Sequence, residues 1–80
     1  MGYRVLLRQK IKVYGDELRV ELREYPKWNG ESWFQLVNVY EHCEHDRGIP
    51  YHSLEEAMHA FESATGYKLA EEMKCYLGRR

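Results

Sequence analysis

The segment Ser32-Trp33-Phe34-Gln35-Leu36-Val37-Asn38-Val39-Tyr40-Glu41-His42 reads as a β-strand with large apolar side chains on both sides. By strict alternation Trp33, Val37 and Val39 share one face, and Phe34, Leu36 and Tyr40 share the other. A half-buried strand alternates apolar with polar, so this one needs cover on two sides. Any fold open to the chain has to supply it.

The residues before it form two more strands. Residues 3–14 alternate, with Val5, Leu7, Ile11 and Val13 on one side and Arg4, Arg8, Lys10 and Lys12 on the other. Gly15-Asp16 is a two-residue turn candidate, because glycine enters positive φ without a Cβ clash. Glu17 to Tyr25 alternates Leu18, Val20 and Leu22 against Arg19, Glu21 and Arg23. A turn at Gly15-Asp16 pairs Val13 with Leu18 and Ile11 with Val20, apolar against apolar. Pro26 limits further pairing, having no amide hydrogen. Asn29-Gly30 is a strong hairpin signal; closing there pairs Trp28 with Glu31, Leu22 with Val37 and Val20 with Val39. The expected sheet is a three-stranded antiparallel meander. Trp33, Val37 and Val39 join its core face, while Phe34, Leu36 and Tyr40 point outward beside Tyr25.

Glu41 to His52 is a polar connector broken by Gly48 and Pro50. Ser53-Leu54-Glu55-Glu56 has the form of a capping box, in which the Ser hydroxyl and the later Glu satisfy each other's orphan amides. The helix it opens runs to about Ala64, with Leu54, Ala57, Met58 and Phe61 at the spacing of one face. Gly66 suits its C-terminal end. A second helix is expected from about Lys68 to Leu77, with Leu69, Met73, Tyr76 and Leu77 on one side. The order β-β-β-α-α, in a single α+β domain over residues 1–80, places both helices on the aliphatic sheet face. The run from Tyr51 to Ala57, with Phe61, resembles the strand-to-helix entry of several small α+β modules, WGR-type domains among them. The Trp-Gly-Arg signature of that family is not in the chain.

Charge is unevenly spread. Residues 1–40 carry seven Lys/Arg against five Asp/Glu, and residues 41–80 carry five against eight, for a net charge of −1. This gives the folded domain a basic side and an acidic side. The chain opens without an apolar leader, and no run reaches membrane-spanning length. Two cysteines and no export signal are expected of a cytoplasmic protein with free thiols and no membrane partner.

Five readings of the chemistry are to be weighed. Arg4, Arg8, Lys10, Lys12, Arg19 and Arg23 alternate onto one sheet face near Tyr25, Phe34 and Tyr40. Cations around aromatic platforms on an open sheet are a route to single-stranded nucleic acid, although charged side chains are also what a solvated sheet face usually carries. Cys43, His45, His52 and Cys75 have the ligand chemistry of zinc but not its spacing, so no metal or other cofactor is expected. A buried Cys43 on the core face is the simpler reading. The connector histidines lack the partners of a catalytic constellation. Trp33, Tyr40, His42 and Tyr51 could line a cleft for a small ligand. Finally, outward Phe34, Leu36 and Tyr40 with Tyr25 form an edge patch of the kind that pairs with another chain. The expectation is a non-catalytic interaction module, homodimeric through this third strand, with nucleic-acid binding as the alternative.

Overall fold

The computed structural model describes residues 2–27, 29–41 and 43–79. Four antiparallel strands, β1 (Arg4–Val13), β2 (Asp16–Pro26), β3 (Ser32–Val39) and β4 (Glu44–Asp46), lie in chain order across one sheet. Two helices follow, α1 (Leu54–Thr65) and α2 (Glu71–Gly78). The expected meander and its two helices are present, and the short β4 is added where the connector had shown no pattern.

The turns lie elsewhere than the sequence suggested. The first hairpin turns at Tyr14-Gly15, with Val13 opposite Asp16, and both turn residues have positive φ (52° and 86°). Two positive φ values in sequence make the tight turn whose twist matches that of the strands. Ile11 therefore meets Leu18, and Leu7 meets Leu22. This differs from the expected pairing by two positions, so the faces are preserved. A bulge between Val5 and Leu7 then shifts the register. Leu6 and Leu7 both pack toward the core, while Val5 falls opposite Arg23 on the other face.

The second hairpin changes more. Lys27 donates its amide to the Glu31 carbonyl at 2.7 Å, and Gly30 donates to the Lys27 carbonyl at 3.1 Å. Gly30, at φ 89°, occupies the left-handed position that closes a three-residue connection. The expected Trp28–Glu31 pair falls partly outside the described residues. Leu22 consequently faces Leu36 rather than Val37, and Val20 faces Asn38 rather than Val39. One residue of slip exchanges the two faces of a strand. Phe34 and Leu36 are core residues, and Trp33, Val37 and Val39 belong to the opposite side.

Leu7, Leu18, Val20 and Leu22 form the sheet's share of the core with Phe34 and Leu36, beneath Ala57, Met58 and Phe61 of α1. The Ser53 hydroxyl accepts the Glu56 amide at 3.4 Å, which is half of the expected capping box. At the other end Gly66, at φ 77°, donates to the Glu62 carbonyl. The eight-residue α2 buries only Leu77; Met73 and Tyr76, expected on its inner side, are exposed. The Glu62 carboxylate tethers it, accepting the Leu69 amide at 2.6 Å and lying 3.7 Å from Lys74 Nζ.

Candidate functional site

The sheet face turned away from the helices carries the unusual chemistry. Cross-strand pairing sets Arg8, Glu21, Val37 and Asp46 in one row and Lys10, Arg19, Val39 and Glu44 in the next. Val5, Arg23 and Gln35 make a third, and Tyr25 with Trp33 a fourth.

Charges in the middle of this face are consumed internally. Glu21 accepts from Arg19 Nε at 2.8 Å and from Arg23 Nε at 2.9 Å. Arg23 then reaches Glu44 with both terminal nitrogens, at 3.3 and 2.8 Å. The Tyr3 ring caps the guanidinium, its centroid 4.1 Å from Cζ. Burial pushes the Glu21 carboxyl upward, but its bonds from Arg23 and Arg19 outweigh that and hold it below the ordinary range. Burial likewise disfavours charged Arg23, and bonds with Glu44, Tyr25 and Glu21 overcome it, raising the guanidinium's pKa. Glu44 is lowered chiefly by its hydrogen bonds from Arg23. Glu21, Arg23 and Gln35 are buried by neighbouring side chains alone, and no buried side-chain polar atom among the described residues lacks a partner.

Two features of the face remain available. One is an aromatic ladder at the end near the second turn. Tyr25 stacks on Trp33 with centroids 4.5 Å apart and planes at 15°, and Tyr3 tilts against Tyr25 at 5.5 Å. The other is the β1 stripe. Arg8, Lys10 and Lys12 are exposed and form no ion pair among the described residues. The stripe ends at Tyr14, whose side chain is wholly in solvent (102% exposed). The acidic side chains of the helices, Glu55, Glu56, Glu71 and Glu72, lie with the layer on the opposite face.

The remaining sequence candidates are dispersed. Of the six expected cations, Arg4 is on the helix side, opposite Glu24 and near Glu72, Tyr76 and Arg79, because the bulge reverses parity there. Arg19 and Arg23 share the helix-free face but are tied to carboxylates. Among the expected interface residues, Phe34 and Leu36 are 4% and 3% exposed beneath α1. They cannot form an outward patch, and β3 is not an edge, having β2 on one side and β4 on the other. Tyr25 lies in the aromatic ladder, and Tyr40 sits edge-on to His45 at 5.8 Å. Within the proposed cleft set, Tyr51 pairs with Phe34 on the core side and Trp33 faces away from it; His42 lies outside the described residues. Cys43 is exposed rather than buried, 3.5 Å from His45 Nε2. No group of three or more His, Cys, Asp or Glu residues assembles to hold a metal among the described residues.

Tyr14 was missed by sequence reasoning. Its signal was present: placing the turn one residue earlier makes it a non-glycine residue at positive φ. No helix among the described residues is long and apolar enough to cross a membrane. No family model, curated protein or solved structure matches the chain.

Proposed function

We propose that this α+β domain is a non-catalytic, cytoplasmic binding module for single-stranded nucleic acid, working through its helix-free sheet face. The observation that carries the reading is the row Arg8, Lys10 and Lys12, cations without an ion pair among the described residues, leading to solvent-exposed Tyr14. Phosphates would follow β1 and bases would stack on Tyr14 and the outer rings of the Tyr3–Tyr25–Trp33 ladder. Such platforms tolerate any base, because every base has a π-face. The net charge of −1 is no obstacle locally, since Glu21 and Glu44 are neutralised within the sheet. Two free, exposed cysteines accord with a reducing compartment.

Fluorescence anisotropy with labelled single-stranded oligonucleotides over a range of salt tests this. Three phosphate contacts give a slope of log K against log salt of roughly −2. Arg8→Glu should abolish binding at moderate salt. Absence of binding at low salt overturns the reading.

A further inference from the structure

The sheet has two open edges of opposite charge. β1 is at one end of the strand order and β4 at the other. On the helix-free face, β1 carries Arg8 and Lys10, and β4 carries Asp46 and Glu44 in the same two cross-strand rows. Arg8 begins the row that Asp46 ends. Lys10 begins the row that Glu44 ends.

Backbone phase agrees at both edges. Antiparallel ladders alternate hydrogen-bonded and non-bonded pairs, and a residue in a non-bonded pair turns its amide and carbonyl the other way. Tyr40 donates to the Cys43 carbonyl and Arg47 to the Leu36 carbonyl, so Glu44 and Asp46 turn their backbone groups outward. The Tyr14-Gly15 turn closes on Val13 and Asp16, which gives Arg8 and Lys10 the same outward orientation. The Gln9 side-chain amide donates to the Lys10 carbonyl at 3.2 Å, as expected of a carbonyl the ladder leaves open.

We infer that a second copy of this chain docks edge to edge, β4 of one molecule against β1 of the next. Strands alternate in direction across an even-numbered sheet, so a copy shifted sideways presents β4 antiparallel to its neighbour's β1. Without any shear along the strands, Asp46 then faces Arg8 and Glu44 faces Lys10. Each acid opposes a base, with the backbone groups of both aimed across the gap. Two-fold pairing of β1 with β1, or β4 with β4, sets like charges against each other, which is unfavourable across strands. The charges therefore select a head-to-tail contact, which continues from copy to copy rather than closing on a pair. With strands about 4.8 Å apart, four strands give a repeat of about 19 Å. β4 is three residues long, so the contact is weak and salt-sensitive. The inference goes beyond ligand binding and stands without it.

Sedimentation of nuclease-treated protein at low and high salt tests it. The mean mass should rise with concentration beyond that of two copies at low salt and fall toward the monomer at high salt. Arg8→Glu/Lys10→Glu and Glu44→Lys/Asp46→Lys should each remain monomeric, and an equimolar mixture should regain association. Lys10→Pro, which removes an outward amide hydrogen together with the lysine cation, should also block it. Because Asp46 belongs neither to the nucleic-acid stripe nor to the Arg23 cluster, Asp46→Lys alone separates the two readings: association is weakened and oligonucleotide binding remains. A wild-type protein that stays monomeric at low salt and high concentration overturns the inference. So does a species that stops at two copies, or association that survives both reversals.

Discussion

The Arg23 guanidinium meets the Glu21 carboxylate at 2.8 Å with 4% and 3% of the two side chains exposed, on a sheet face that no helix covers. Concealment there comes from neighbours standing on the same sheet, Tyr3 above and Glu44 beside. An ion pair out of solvent must satisfy itself, and removing one partner leaves the other charge stranded. Arg23→Met should cost about 3 kcal/mol in denaturant unfolding. Arg23→Met with Glu21→Leu should recover most of that loss, since the stranded charge goes too. A double variant no better than the single one would show that packing of the arginine stem dominates.

The same pair gives an acid limb with a definite sign. The folded pKa of Glu21 lies below its ordinary value of 4.5. Its contribution is fully present above that value and is lost as pH falls through the folded pKa. Glu21→Gln should flatten the fall in stability below about pH 4.5. An unchanged acid limb in this variant would refute the assignment.

Leu36 and Val39 test the register. Leu36→Ala should cost about 2–5 kcal/mol, as for other core leucines. Val39→Ala, on the helix-free face and only partly buried, should lose much less. A larger loss at Val39 than at Leu36 would favour the alternative register, in which Val39 is a core residue.

Tyr14 separates stability from binding. A bulky residue at φ 52° is strained, and asparagine tolerates this region far better. Tyr14→Asn should raise stability by about 0.5–1 kcal/mol. It should also weaken oligonucleotide binding by about 1–3 kcal/mol through loss of stacking. A gain in stability with binding unchanged removes Tyr14 from the site.

The attachment of α2 depends on Glu62. The Leu69 amide is the first reason its carboxyl lies below the ordinary range, ahead of the attraction of Lys74. That stabilisation is present above pH 4.5 and fades as the carboxyl protonates below it. Because an isolated helix this short is marginal in water, Glu62→Ala should speed amide exchange across residues 71–78. Exchange unchanged from wild type would mean that Leu77 alone holds the helix.

Much of this was legible from local chemistry. Alternation placed three strands, Ser53 marked the entry to α1, Gly66 marked its end, and glycine at both turns located the hairpins. The candidate face was half legible. Arg8, Lys10, Lys12, Arg19 and Arg23 do share one side, but their aromatic neighbour is Trp33 rather than Phe34. Which of the cations carboxylates would neutralise required the register, and β4 was too short to give a periodic signal.

The chain by itself determined that β3 would have two apolar faces and that helices would follow the sheet. It did not determine which face those helices would cover. Leu36 and Val37 are equally acceptable to a core, so hydrophobic pattern cannot choose between registers one residue apart. The choice falls to the connection between Lys27 and Glu31, where a third residue brings Gly30 to its left-handed position and exchanges the faces of β3. Packing of Phe34 and Leu36 under Phe61, with Glu21 and Arg23 satisfied on the reverse side, makes that arrangement consistent. Those contacts exist only once strands distant in sequence have come together.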